Sequence, residues 1–208
     1  MDNTPIYKLL NKGGMLMVLY KLYFLLSHCF YKPDDGLLHL LREEGLDFLK
    51  TTFSENPNLC QRFEELKQEL DKDNYLAQLA WEYNRLFFGP GKVLVPPYSA
   101  LYINSYGHIM TNVTKQVKEA YKSWGFDLAD DLKEPADHIA IELSFLANLY
   151  KLLEENKDQR EAILLQISEF KHHLKEWVPK FQMEIKKHKS LLFYEILAET
   201  VMELLLRD

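Results

Sequence analysis

Apolar residues recur every three or four positions along almost the whole of this 208-residue chain, and that spacing predicts α-helices. The alternation typical of half-buried strands is nearly missing from the sequence, and only the short run Val93-Leu94-Val95 suggests it. A chain of this length can bury a sizeable core, either in one domain or in two small lobes packed together. The sequence therefore predicts an all-α fold.

Prolines, glycines and capping residues divide the chain into helices. Asp34-Asp35 and Asn56-Pro57 are expected to start helices, Asp73-Asn74 to cap another, and Gly89-Pro90-Gly91 to stop it. Gly45 is a local weakness, and Pro135 suits the first turn of a helix. The expected helices span about 15–31, 37–53, 57–70, 75–88, 98–124 with a break near Gly107, and 135–156. Two or three further helices are expected around 163–177, 181–187 and 191–206.

The polar, acidic segment 127–133 is the best candidate for a domain boundary. We expect a larger N-terminal helical lobe at 1–126 and a smaller C-terminal lobe at 134–208, joined by this hinge. The two lobes can also be counted as one domain. Exchange of a lobe across the hinge would give a domain-swapped dimer, so both a monomer and such a dimer stay open.

The charge of the chain restricts its partners and its location. A net charge of -6 argues against nucleic acid, because phosphate binding needs a basic face. Lys21 interrupts the apolar run 15–31, so no stable membrane insertion is expected. Cys29 and Cys60 lack the spacing of a metal or disulfide framework, and the first residues are acidic where a secretory leader is basic. A cytoplasmic location is therefore expected.

No catalytic centre is recognisable in the sequence. Asp137 and His138 are neighbours, and on a helix such side chains point about 100° apart, so they do not form a natural acid/base dyad. His138 with Glu142, and Glu169 with His173, have the four-residue spacing of metal ligands on a helix, but a repeated Glu-x-x-His motif is missing. We expect no catalytic residue, no cofactor and no metal, and hence no enzyme.

Two features favour a binding surface instead. Aromatic and aliphatic residues at Leu86, Phe87, Tyr98 and Tyr102 flank a loop that is stiffened by three prolines, and they are either packed against the helices or exposed as anchors. Five carboxylates follow, and they form either a hydrated connector or an acidic rim for the arginines of a partner. These five are Asp127, Asp130, Asp131, Glu134 and Asp137.

The same residues resemble the TorD/DmsD/NarJ family of redox-enzyme maturation chaperones over most of the chain. The pattern Tyr-x-x-Leu-Phe-x-Gly-Pro occurs at 83–90, Pro-Pro-Tyr at 96–98 and Glu-Pro-x-Asp-His at 134–138. Glu142-Leu143-x-Phe145 and Leu174-x-x-Trp177 add to the resemblance. It implies an all-helical, two-lobed cytoplasmic protein that makes and breaks no bond.

The resemblance also implies a partner. Such a chaperone binds the twin-arginine signal peptide and the apo form of a molybdenum-cofactor oxidoreductase, assists cofactor insertion and proofreads the enzyme before export or assembly. The expected peptide-binding residues are Leu86, Phe87, Tyr98, Tyr102, Glu134, Asp137 and His138. The alternatives are a helical adaptor for another protein and a metal-dependent helical enzyme.

Overall fold

The structure is a computed structural model that describes residues 14–89, 93–103, 111–128 and 134–207. Within these ranges the all-α prediction is confirmed, and the only strand-like pairing is an isolated bridge between Tyr98 and His138. The elements are α1 Met15–Cys29, α2 Asp35–Leu40, a π-helix Leu41–Gly45, α3 Leu46–Thr52, α4 Pro57–Leu70, α5 Tyr75–Tyr83, a π-helix Asn84–Phe88, α6 Ala100–Ile103, α7 Asn112–Ser123, α8 Ile139–Glu155, α9 Arg160–Lys187 and α10 Leu192–Leu206.

Side-chain caps start two of the helices where the sequence predicts them. The Asp34 carboxylate accepts a hydrogen bond from the Leu37 amide at 2.8 Å, and the Asn56 side chain accepts one from the Leu59 amide at 3.1 Å. Each cap satisfies an amide that has no partner inside its helix. Asn74 differs from the prediction, because it lies in the left-handed region at φ 60° and its side chain caps no amide of α5.

Glycines mark the ends of both π-helices. The first π-helix ends at the buried Gly45, where a Cβ would lie only 3.2 Å from the Leu40 carbonyl oxygen. A residue without a side chain avoids this tight contact. Gly89 has φ 53° and ψ 151°, a conformation open essentially to glycine alone, and it ends the helix as expected. Pro90 and Gly91, which complete the predicted stop, lie outside the described residues.

The core joins helices from both sides of segment 127–133. Among the described elements, α1 packs most extensively along α8, while α9 packs on α8 and α10, and α10 packs on α4. Tyr23 of α1 stacks on Tyr150 of α8 with ring centroids 5.5 Å apart. Buried residues from these helices form one cluster. The division into two lobes stays a prediction, and residues 129–133 of the expected hinge lie outside the described ranges.

Of the two or three helices expected after residue 163, the structure has two, with no break between residues 177 and 181. Helix α9 continues for 28 residues through Pro179. Trp177, Val178 and Phe181 on either side of the proline are buried in the core. Burial of several large apolar side chains exceeds the cost of about 3 kcal/mol that a proline imposes on a helix interior.

None of the described helices has the length and apolarity required to cross a membrane. The most apolar candidate from the sequence, α1, comprises 15 residues and includes Lys21.

We predict that Pro179→Ala stabilises the protein. Alanine restores a backbone donor and suits a helix interior, so the free energy of unfolding should rise by about 1–3 kcal/mol. Urea denaturation measures this change, with the exposed Lys186→Ala on the same helix as a control that should stay within about 0.5 kcal/mol. A neutral or negative effect of Pro179→Ala would indicate that the helix is interrupted there.

Candidate functional site

Backbone hydrogen bonds bring the three predicted motifs together. The Ser99 amide donates to the Asp137 carbonyl at 3.0 Å, and the Ile139 amide donates to the Pro97 carbonyl at 2.9 Å. These two bonds form the bridge between Tyr98 and His138, which we call the clip (residues 97–99 and 137–139). The Val95 amide also donates to the Leu86 carbonyl at 2.9 Å, so the Leu-Phe turn is joined to the same segment.

Asp137 reinforces the clip from the inside of the protein. Its side chain is 0% exposed, and Oδ2 accepts a hydrogen bond from the Ala100 amide at 3.0 Å, at the start of α6. Oδ1 has no hydrogen-bond partner within the described part of the chain. The expectation that Pro135 and Asp137 lie in the first turn of a helix is wrong, because α8 begins at Ile139 and the preceding turn instead folds back onto α6.

His138 is the N-cap of α8 and is buried. Its Nδ1 accepts a hydrogen bond from the Ala140 amide at 3.1 Å, which leaves the ring proton on Nε2. The ring stacks on Tyr31 at a centroid distance of 5.9 Å and meets the edge of Tyr98 at 5.5 Å. Burial lowers the pKa of His138 to about 3, so the imidazole is neutral at physiological pH.

Glu134 lies among three tyrosines. The Tyr98 hydroxyl donates to Glu134 Oε2 at 2.7 Å. Burial, followed by the nearby Glu134 charge, raises the pKa of Tyr31, and the same two causes raise the pKa of Tyr83 to about 12. Burial and the hydrogen bond to Glu134 raise the pKa of Tyr98 as well. We call Glu134, Tyr31, Tyr83 and Tyr98 the Glu134 site.

The sequence identifies only part of this site. Glu134 and Tyr98 are predicted peptide-binding residues. Tyr31 belongs to none of the motifs, and Tyr83 is only the first residue of the family pattern at 83–90. Within the predicted acidic rim, Asp127 is exposed and Glu134 is half-buried, while Asp130 and Asp131 lie outside the described residues.

Glu142 links α8 to α9 beneath the clip. Its buried carboxylate accepts hydrogen bonds from His173 Nε2 at 2.9 Å and Trp177 Nε1 at 3.0 Å. Burial raises the pKa of Glu142 and His173 opposes this rise. Burial alone would lower the pKa of His173, but Glu142 outweighs it and the pKa is raised. His173 therefore pairs across helices rather than with Glu169, and the described residues include no group of three or more potential metal ligands.

The Leu-Phe turn is part of the core. Leu86 and Phe87 are buried, and the Phe87 ring contacts Phe181 and Tyr194. Tyr102 is half-buried and stacks on Trp177 at 5.6 Å. The role of these residues in peptide binding stays a prediction.

We predict that Phe87→Ala lowers the free energy of unfolding by about 3–5 kcal/mol, because it leaves a cavity among packed rings. Chemical denaturation measures the change. Phe88→Ala is the matched control, since Phe88 is 63% exposed, and it should change stability by less than about 0.5 kcal/mol. Similar effects of the two substitutions would contradict the burial of Phe87.

The low pKa of His138 predicts a loss of stability in acid. The ordinary pKa of this side chain is 6.5 and its pKa in the folded protein is about 3. Between these two pH values, His138 binds a proton in the unfolded state but not in the folded state. The contribution of His138 to the free energy of unfolding is complete above pH 6.5 and falls by about 1.4 kcal/mol per pH unit below it. His138→Asn, which can still cap the helix, should remove this part of the slope in denaturation curves between pH 6 and 4. The exposed His39→Asn should leave the slope unchanged.

Comparison with known proteins places the chain in a family. The model of the family described as nitrate reductase delta subunit matches residues 54–183, more than half of the chain. The chaperone protein TorD of Vibrio atlanticus is 31% identical over 185 residues, which cover 84% of this chain and 85% of that one. The TorD of Vibrio parahaemolyticus is 30% identical over 132 residues, which cover 62% of this chain and 61% of that one.

A solved structure agrees with the fold. A protein from Archaeoglobus fulgidus that is described as a redox enzyme maturation protein superposes with a TM-score of 0.56 at 22% identity, over 93% of this chain and 95% of that one. The fold, the family match and the relative that is 31% identical over most of both chains lead to one conclusion: this chain belongs to the nitrate reductase delta subunit family, which includes the TorD chaperones.

Proposed function

We propose that this chain is a cytoplasmic chaperone of redox-enzyme maturation that binds the twin-arginine leader and the apo form of a molybdenum-cofactor oxidoreductase. It holds the enzyme for cofactor insertion and delays its export, and it catalyses no reaction. Relatives named as TorD chaperones and a neighbour described as a redox enzyme maturation protein support this class of function.

The observation that carries the proposal is the Glu134 site. A guanidinium group can form two parallel hydrogen bonds with a carboxylate and can also stack on aromatic faces. Glu134 offers the carboxylate, and Tyr98 and Tyr31 beside it are half-buried and so partly accessible. The Tyr98 hydroxyl donates to Oε2 of Glu134, while Oε1 of Glu134 has no hydrogen-bond partner within the described residues. The site suits an arginine better than a lysine.

Asp137 and His138 act behind this site. Both are buried, and we assign to Asp137 the positioning of Tyr98 through the clip rather than direct contact with an arginine. A protonated His138 beside Tyr98 would repel a guanidinium. Because burial holds the ring neutral at physiological pH, a cationic ligand can approach Glu134 without that repulsion.

The contact is suited to reversible holding. One charge-assisted carboxylate–guanidinium pair and a few apolar side chains contribute several kcal/mol, and much of this is offset by ordering the peptide. The expected affinity is therefore about micromolar, which allows release once the cofactor is inserted.

A pair of synthetic peptides tests the proposal. One carries two adjacent arginines followed by an apolar stretch, and the other carries two lysines in their place. Isothermal titration calorimetry should give about tenfold tighter binding of the arginine peptide, since only arginine forms the planar two-bond contact. Glu134→Gln should remove most of this preference, and Tyr98→Phe, which loses the hydroxyl that orients Glu134, should reduce it.

Asp127→Asn is the matched control, because Asp127 is an exposed carboxylate in the same acidic segment. If Asp127→Asn and Glu134→Gln weaken binding equally, the attraction comes from general charge and not from the Glu134 site. Equal binding of the two peptides by the unaltered protein would support a helical adaptor and reject the twin-arginine proposal.

The identity of the client is tested in the host. A tagged chain, captured from anaerobically grown cells and analysed by mass spectrometry, should enrich an unprocessed molybdoenzyme subunit that carries its leader. The Glu134→Gln chain should recover less of this subunit. Failure to enrich a precursor that the cells do express would contradict the molybdoenzyme assignment.

A further inference from the structure

A buried acid–base pair lies behind the clip and takes no part in the proposed contact with arginine. The Glu142 side chain is 0% exposed and accepts a hydrogen bond from His173 Nε2, whose own side chain is 19% exposed. A carboxylate removed from water in this way needs a partner of opposite charge, because its desolvation is costly. The pair is neutral overall only while His173 carries its second proton.

The surroundings of the ring favour that proton. Burial by itself lowers the pKa of His173, but the adjacent Glu142 carboxylate outweighs burial and raises the pKa, and Glu176 and Asp137 act in the same direction. Within the described residues, these three carboxyl groups are the charges that act on the ring, and they come from α8, from α9 itself and from the clip. When His173 loses its proton, the buried Glu142 carboxylate loses its charged partner.

Both segments of the clip act on Glu142. The largest effect on its pKa is burial, which raises it. His173 and then the Ser99 side chain oppose this rise, and Asp137 adds to it. Ser99 and Asp137 are also joined to each other by a backbone hydrogen bond of the clip. The charge of the buried pair therefore acts on the two residues that hold the clip together.

A second connection runs from Glu142 through α9 to α6. Trp177 Nε1 donates to the other Glu142 oxygen at 3.0 Å, and the indole stacks on Tyr102 at a centroid distance of 5.6 Å. Lys180 Nζ, further along α9, donates to the Tyr102 carbonyl at 2.8 Å. The first amide of α6 is bound to the Asp137 side chain. The short helix is thus tied to the clip at its start and to α9 near its end.

We propose that the Glu142–His173 pair is a positioning element for the Glu134 site, and that it holds the clip in its binding geometry only while His173 is protonated. Loss of the proton leaves a buried carboxylate without a counter-charge, which loosens the contacts of α9 with α6 and the clip. Tyr98 belongs to the clip and donates to Glu134, so the arginine contact weakens with it. This inference rests on the proposed function, since it concerns regulation of the same site.

The direction of the pH effect follows from proton linkage. The ordinary pKa of histidine is 6.5 and the folded protein raises that of His173. The contribution of the pair is therefore complete below pH 6.5 and is lost as the pH rises through the raised value. His138 acts in the opposite direction, because its contribution is lost on acidification. The Glu134 site then has a pH range that His138 limits from below and His173 limits from above.

NMR spectroscopy tests the pair in the protein without peptide. The ring resonances of His173 should titrate with a midpoint above pH 6.5, and Glu142→Gln should lower that midpoint. Amide exchange, corrected for its intrinsic pH dependence, reports on the clip. Protection of the Ser99 and Ala100 amides should fall by up to about tenfold per pH unit above pH 6.5 and level off beyond the His173 midpoint. The Leu59 amide at the start of α4 is the reference and should not show this fall.

The peptides with two arginines or two lysines test the effect on binding. The preference for arginine should decrease from about tenfold at pH 6.5 to about twofold at pH 8.5. Glu142→Gln and His173→Gln remove a titrating charge but keep a polar side chain, and each should make the preference independent of pH over this range. His172→Gln is the matched control, because His172 is the neighbour of His173 on α9 but its side chain is 78% exposed. This variant should keep the pH profile of the unaltered protein.

Four outcomes overturn the inference. The first is a His173 midpoint at or below pH 6.5. The second is protection of Ser99 and Ala100 that falls in parallel with that of Leu59, which would indicate a purely structural ion pair. The others are an arginine preference that is constant with pH in the unaltered protein, and one that keeps its pH dependence in Glu142→Gln.

The proposed function fails by a different result. It requires a preference for the arginine peptide at pH 6.5, whatever happens at higher pH, and equal binding of the two peptides at pH 6.5 rejects it. The titration and the exchange measurement need no peptide and no variant, so they decide the role of the buried pair even if a substituted chain fails to fold.

Discussion

The site depends on two backbone hydrogen bonds, those that pair residues 97–99 with 137–139. Prolines stiffen the first segment, and the second leads directly into α8, so the clip fixes a loop against a helix start. The buried Asp137 carboxylate adds a third bond to the Ala100 amide. Such a carboxylate is costly to bury, and its bond within the clip offsets part of that cost. Tyr98 lies within this pairing, and its hydroxyl donates to Glu134.

Burial controls which charges the protein presents to a ligand. His138 is held neutral, Glu82 is compensated by Arg85, and Glu142 is enclosed by two donors from α9. Glu134 differs, since it is half-buried and hydrogen-bonded by a neutral hydroxyl. The other carboxylates described here are exposed to competing solvent, paired or inaccessible, and this distinguishes Glu134 from them.

Local chemistry explains what the sequence could predict. The caps at Asp34 and Asn56 follow from residue type and neighbouring positions, as does the end of the helix at Gly89. Pro179 does not interrupt α9, because packing on both sides, which is a tertiary effect, outweighs its local preference. Likewise Tyr31 stacks on His138, and Glu142 reaches His173, only because distant segments meet. Motifs singled out Glu134 and Tyr98, whose role in binding stays a prediction, and spacing could not reveal the burial of Leu86 and Phe87.

The packing of α1 along α8 has a consequence for synthesis. Helix α1 ends at Cys29 and its principal partner begins at Ile139, so its apolar face stays unburied until most of the chain has left the ribosome. Contacts so distant in sequence form late, after a large loss of chain entropy. During that interval the nascent protein exposes an apolar helix face that favours aggregation. A member of a family that includes chaperones is therefore itself prone to aggregation while it is being synthesised.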